Sequence, residues 1–313
     1  MCIRDSYIRD ALESFLMQKT SYAYNVFVYD DASTDGTSDI LREYEKKYPE
    51  IFDIYISSCN IYNSPEREKI MDKLYKEHIV GRYVAWCEGD DYWTDSNKLQ
   101  KQIEFMEQNP ECSMTAHGAY WLDCQTGVLK DYNPYNENRY LAGDEIILQP
   151  QGNLPTASLV IRKDAFIRDI EFPACDVGDI PMQLYALCKG EIYYFNCQMS
   201  LYRYMHAGSW TKEIAGAFEN NNIHAYHMID FMEKYDKYSK GMYHEYIRKR
   251  CSDYLYSRIS EYKFMSSDEY CDRMQKLKKR LACREQRFIE NQCKVFKLSL
   301  IHISEPTRPL YIS

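Results

Sequence analysis

Residues 83–93 read Tyr83-Val84-Ala85-Trp86-Cys87-Glu88-Gly89-Asp90-Asp91-Tyr92-Trp93, a short apolar run that breaks into a tight acidic turn. The same order occurs earlier in the chain. There Tyr24-Asn25-Val26-Phe27-Val28-Tyr29 runs into Asp30-Asp31-Ala32-Ser33-Thr34-Asp35-Gly36-Thr37. Aromatic and β-branched runs bounded by turn residues read as buried strands. In parallel α/β sheets ligands sit at strand ends, and carboxylates gathered there suit a divalent cation and a polyphosphate.

Outward from these turns, strands and helices alternate. Ile8, Leu12, Phe15 and Leu16 have helical spacing within Tyr7–Gln18, and Ile40, Leu41 and Tyr44 share one face of a helix over Ser38–Tyr48. Ile51–Ile56 reads as a strand, Glu66–His78 and Lys98–Asn109 as helices, and Met114–Leu122, Ala157–Ile161 and Glu191–Phe195 as further strands. A short helix is predicted over Pro181–Leu187. Such alternation implies an α/β domain with a mostly parallel sheet flanked by helices, over residues 7–212. From about Ile214 the pattern becomes helical, charged and Tyr-rich, which implies a helical C-terminal region over 213–297.

The composition narrows the function. With 313 residues and 45% hydrophobic content the chain can bury a sizeable core. A formal charge of -8 argues against a nucleic-acid partner, because phosphate attraction needs a basic surface. The thirty Tyr suit amphipathic helix packing, with a sugar-stacking surface as the alternative. Twelve Cys lie without regular spacing, as buried thiols do in a reducing cytosol. No apolar run is long enough to span a membrane, and the expected location is cytoplasmic.

Together the two acidic motifs resemble the nucleotide-sugar-binding signature of the family-two glycosyltransferases, whose fold is GT-A. Trp93 and Lys98-Leu99-Gln100-Lys101-Gln102 extend the resemblance. It implies an inverting transfer from a nucleoside-diphosphate sugar, of UDP type, to a saccharide or lipid-linked acceptor, with Mn or Mg as cofactor. By resemblance, Asp30 and Asp31 recognise the nucleoside, while Asp35 and Thr37 brace the turn. Glu88-x-Asp90-Asp91 stands at the family's Asp-x-Asp motif. Asp90 is then the metal ligand, Glu88 faces the ribose or a metal-bound water, and Asp91 faces the sugar or the outer shell of the metal. Val177-Gly178-Asp179-Ile180-Pro181 matches the site of the catalytic base, so Asp179 takes the acceptor proton, with Asp176 as a neighbouring spare. Tyr202-Arg203-Tyr204-Met205-His206 resembles a segment following the last core strand, in which Arg203 pairs with phosphate and His206 completes the metal shell or touches the diphosphate. Thr156 and Ser158 are candidate acceptor contacts, with a plain turn as the alternative; Trp93 and Trp210 are candidate sugar-stacking rings, with core packing as the alternative for both.

Two competing readings remain open at this level: a nucleotidyltransferase on a similar sheet, and a non-catalytic sugar-nucleotide-binding fragment. Residues 1–6 and 298–313 are set apart as adaptor-derived, because one DNA string read on its two strands encodes Met1–Ser6 and Leu298–His302. The sheet is accordingly expected to lack the family's first strand. His224 and His227 are read as packing residues. Lys276, Lys278, Lys279, Arg280, Arg284 and Arg287 flank an apolar stripe, a candidate for peripheral contact with an anionic membrane, with a solvated surface helix as the alternative.

Overall fold

A computed structural model describes residues 7–62, 64–149, 154–175, 178–206, 209, 218–261 and 267–278. The chain divides into two compact units, residues 1–213 and 214–313. The first opens with helix α1 (Ile8–Leu16), whose Ile8, Ala11, Leu12 and Phe15 are buried, as their spacing demands. Strand β1 (Val26–Asp30) follows, then α2 (Thr37–Lys47), β2 (Phe52–Ile56), α3 (Arg67–His78) and β3 (Tyr83–Ala85). Gly36 enters α2 at φ 92°, the left-handed region that a side chain disfavours, so it suits this tight turn.

The second acidic motif lies between β3 and β4 (Tyr92–Trp93), and α4 (Lys98–Gln108) comes next. Then follow β5 (Cys112–Asp123), β6 (Leu129–Tyr132), β7 (Arg139–Leu141), α5 (Gly143–Leu148), a 3-10 turn at Thr156–Ser158, β8 (Val160–Arg162) and α6 (Lys163–Phe166). The unit closes with α7 (Asp179–Lys189) and the long β9 (Glu191–Tyr204).

The class is α/β with helices flanking a mixed sheet. β1 pairs with β2 in parallel, and β5 pairs with β9 in parallel. The main sheet has the order β3-β8-β5-β9-β4, with β6 added to β5 and β7 to β9. Parallel pairing is confined to those two pairs, and the short strands dock antiparallel. β5 occupies the centre and is buried continuously from Cys112 to Ala119, as a strand covered on both faces must be. Among the described residues no strand joins β1 to β3, so the two sheets stay separate.

Boundaries differ from those read in the sequence, two of them with consequences for the site. The expected strand over Ala157–Ile161 is a 3-10 turn followed by β8, because Pro155 presets the chain for a turn. The strand expected to end at Phe195 continues to Tyr204, because its second half pairs with β4. Arg203 therefore sits within a strand rather than after one. α7 is pinned by its C-terminal end to the start of β5, where Ser113 Oγ donates to Ala186 O at 2.7 Å. Gly190 permits that approach, since a Cβ there would lie 2.3 Å from Glu111 O.

The second unit contains α8 (Phe218–Tyr238), α9 (His244–Glu261) and α10 (Ser267–Lys278). Its core includes Met228, Phe231, Met232, Tyr235, Ile247, Tyr270 and Met274, so these tyrosines serve helix packing. His224 and His227 lie half-buried on α8, the latter against the Tyr226 ring. Among the described residues no helix is long and apolar enough to cross a membrane. The basic run from Lys279 onward and both terminal segments fall outside the described residues, as do the side chains of Lys276 and Lys278.

Candidate active site

The second acidic turn is fixed at both ends. Trp86 N donates to Leu159 O at 3.1 Å beyond β3, and β4 pairs with Ser200 and Leu201 of β9. Within the turn, Asp91 N donates to Glu88 O at 3.1 Å. The Glu88 side chain is exposed, while Asp91 is turned inward and only 2% exposed. One Asp91 oxygen accepts the Arg203 N–H at 2.9 Å. Burial, with Glu88 and Asp90 beside it, holds the Asp91 carboxyl well above the usual carboxylate range. An oxygen so enclosed braces the turn.

Asp90 points the other way. Its Oδ2 lies 3.1 Å from His206 Nε2, and both side chains are largely buried. Arg203 ties this pair to α1. Its guanidinium donates to Asp90 O at 2.6 Å and to the Asp10 carboxylate. It is stacked between the rings of Tyr7 and Tyr92, at 4.6 and 4.9 Å. Tyr7 also meets the His206 ring edge-on at 5.3 Å. Protein groups thus engage the Arg203 guanidinium at two nitrogens and on both faces. Replacing Arg203 with Met is expected to cost about 2–3 kcal/mol in urea denaturation, through the lost ring contacts and the unfilled Asp90 carbonyl. Asp10 is half exposed and contributes little, since water replaces the guanidinium there.

At the first turn, Asp30 is 4% exposed and accepts Ser33 N at 3.2 Å and the Ser38 hydroxyl. Asp31 accepts Tyr29 Oη at 2.9 Å and Ile61 N at 2.8 Å, which binds the turn to the segment after β2. Asp35 accepts both the backbone and the hydroxyl of Thr37, the bracing role expected of that pair. Sequence reasoning missed Tyr7 and Asp10, which nothing local connects to residue 203. It also missed strain. Ala32 and Met205 have positive φ, 56° and 59°, and each adjoins a candidate residue. Such non-glycine conformations cost about 1–3 kcal/mol and cluster at functional sites.

Asp179 opens α7, and its Oδ1 accepts Ile180 N at 2.9 Å. Burial raises its pKa above the ordinary value. Ser158 is fully buried and Thr156 half-buried. Trp93 is a core residue, 5% exposed, with Nε1 donating to Ala157 O at 3.1 Å and the Phe15 ring edge-on at 4.7 Å. Neither Ser158 nor Trp93 presents a surface to an acceptor, because both fill the interior behind the turn. Asp176 and Trp210 lie outside the described residues.

The structure therefore brings together Asp90, Asp91, Arg203 and His206. Asp30 stands at the end of β1 and Asp179 at the start of α7. Asp90 and His206 supply one carboxylate oxygen and one imidazole nitrogen. Among the described residues no group of three or more metal-ligating side chains converges. Such a donor set fits a divalent ion that takes its remaining ligands from phosphate and water, the habit of Mg²⁺ in phosphate-binding sites.

A sequence profile described as "Glycosyl transferase family 2" matches residues 1–123. An uncharacterized protein of Mycobacterium tuberculosis is 30% identical over 207 residues, 66% of this chain and 58% of that protein. The chain thus spans little more than half the length of the mycobacterial relatives it matches. The putative teichuronic acid biosynthesis glycosyltransferase TuaG of Bacillus subtilis is 38% identical over 125 residues, 40% of this chain and 46% of that protein. The UDP-Glc:alpha-D-GlcNAc-diphosphoundecaprenol beta-1,3-glucosyltransferase WfaP of Escherichia coli is 29% identical over 201 residues, 63% of this chain and 72% of that protein.

Proposed function

We propose that the chain, whose residues 1–123 match the glycosyl transferase family 2 profile, moves a sugar, with inversion, from a UDP-sugar to a lipid-linked or saccharide acceptor in surface-polysaccharide assembly. The observation that carries this reading is the buried Asp90–His206 pair at the second acidic turn, braced by Arg203. Asp30 and Asp31 shape the nucleoside end, and Glu88 faces the ribose. Asp90 and His206 would hold Mn or Mg. When bound, the ion neutralises charge on the departing diphosphate.

Asp179 takes the proton from the acceptor hydroxyl as its oxygen attacks the anomeric carbon. The bond from that carbon to the diphosphate breaks, its electrons leave with UDP, and the configuration inverts. The E. coli relative's printed donor and acceptor make UDP-glucose and a diphospholipid-linked amino sugar the first pair to try. The reaction is expected near the inner face of a membrane, in the cytoplasm.

Release of UDP by the full chain from a panel of UDP-sugars, with Mn and with EDTA, tests this reading. Turnover is expected with Mn and acceptor present, and its loss in EDTA. Turnover in EDTA equal to that in Mn would reject the metal role. No UDP release from any donor would favour a binding fragment.

A further inference from the structure

Behind the second acidic turn lies a set of polar side chains that are buried and only partly bonded. Lys98 Nζ, Gln102 Oε1, His117 Nε2, Ser158 Oγ and Ser200 Oγ are all enclosed and lack a hydrogen-bond partner. Their residues are 0–1% exposed. Orphaned buried polar atoms are rare, and each costs about 1–3 kcal/mol when truly unbonded.

The fold places them together. Gln102 Nε2 donates to Thr115 Oγ1 at 3.1 Å and to Ser158 O at 2.9 Å, which joins α4, β5 and the 3-10 turn. Lys98 lies one turn before Gln102 on the same face of α4, and His117 lies two residues after Thr115 on the same face of β5. Since the chain reverses between α4 and β5, those two steps run in the same direction and bring Lys98 toward His117. Lys98 Nζ sits 4.6 Å from the centre of the Trp93 ring. Ser200 is the cross-strand partner of Trp93, so its side chain shares that face of the sheet.

Donors and acceptors in this set are complementary but do not touch. The Lys98 head offers three donors. His117 Nδ1 faces Gly118 O at 2.6 Å, and because a carbonyl can only accept, the proton is on Nδ1. Burial and the Lys98 charge hold this ring neutral, well below the usual histidine range, so Nε2 presents a lone pair. The Gln102 amide hydrogens are already used, which leaves Oε1 as a second acceptor. Two lone pairs in this set would repel an anion. Water both donates and accepts, and it fits.

We propose that this buried polar cluster is a hydration site in which ordered water links Lys98 Nζ to His117 Nε2 and Gln102 Oε1. The hydrated head of Lys98 holds the Trp93 ring, and through it the Asp90–Asp91 turn three residues earlier. Lys98 is then a positioning residue and touches no substrate. Burial pulls its pKa down to about 7, opposed by the neighbouring Cys87. The positioning role rests on the transferase reading; the hydration does not.

The test uses the full chain, wild type and Lys98→Met, in crystals that resolve water, with the Mn dependence of UDP release measured alongside. The wild type is expected to show water bridging Nζ to His117 Nε2 or Gln102 Oε1. Lys98→Met is expected to fold, since a lone buried ammonium is costlier to desolvate than a thioether. The Mn concentration giving half-maximal release should rise about tenfold, the low end for residues that support metal ligands from behind. Lys98→Gln keeps a water-bonding head and should fall between the two, and it serves also if the Met variant fails to fold.

A dry cluster, or an anion at Nζ, would overturn the hydration. Bridging water with an unchanged Mn requirement in both variants would overturn the positioning role, as would Lys98→Gln falling below Lys98→Met. If the wild type releases no UDP, the transferase reading and the positioning role fall together. The crystals still decide the hydration.

Discussion

Asp179→Asn is expected to lower kcat for transfer by about 10³-fold, within the range for loss of a general base. The KM for the donor should change by no more than about twofold, because the base acts on the acceptor hydroxyl. The amide can still accept the Ile180 N–H that Asp179 Oδ1 accepts, so the start of α7 is kept. The pH profile supplies a second readout. Burial raises the Asp179 pKa, so the carboxylate needed as base is lost as pH falls through a value above the ordinary ~3.9. Wild-type activity should therefore fall on the acidic side at a higher pH than an exposed aspartate would give. The residual activity of Asp179→Asn should lack that limb. Transfer unchanged by the substitution would reject Asp179 as the base.

Asp90→Asn should have an effect of the same order for a different reason. A neutral amide is a poor ligand for a hard divalent ion. Loss of that ligand removes several kcal/mol of charge stabilisation on the departing diphosphate, and about 4 kcal/mol corresponds to roughly 10³-fold in rate. The amide can still bond His206 Nε2, and Arg203 still reaches the backbone carbonyl at position 90, so the melting temperature should hardly move. Activity should fall with a raised Mn requirement, measured as UDP release against Mn concentration. A variant that keeps wild-type turnover would remove Asp90 from the metal site.

The elements around the two acidic motifs were legible because their signals are local. The helical spacing of Ile8, Leu12 and Phe15 and the apolar run before Asp30 each report on their own segment. Where the sequence reading failed, long-range pairing decided the outcome. β9 extends through Arg203 because β4, more than a hundred positions earlier in the chain, pairs with it, and Asp91 and Arg203, which meet there, lie 112 positions apart. Pattern within a single segment cannot reveal that partner.

The same limit shaped the site. Glu88, Asp90 and Asp91 form one string in the sequence, yet the turn sends Asp91 into the interior and Asp90 toward His206. Which way adjacent carboxylates point depends on the strand that receives them. Trp93 reads as a core residue or a sugar-stacking ring and Ser158 as a turn residue or a sugar contact, and both are buried. The bracing role of Arg203 depends on Tyr7 and Asp10, residues that a motif search has no reason to join to it.

The central claim is that Asp90 and His206 together receive the ion that accompanies the diphosphate. Anomalous diffraction from crystals of the full chain grown with UDP and Mn tests it most directly. One Mn peak is expected about 2.0–2.2 Å from both Asp90 Oδ2 and His206 Nε2, with phosphate oxygens completing its shell. A Mn–UDP complex bound elsewhere, with the Asp90–His206 hydrogen bond intact, would contradict it.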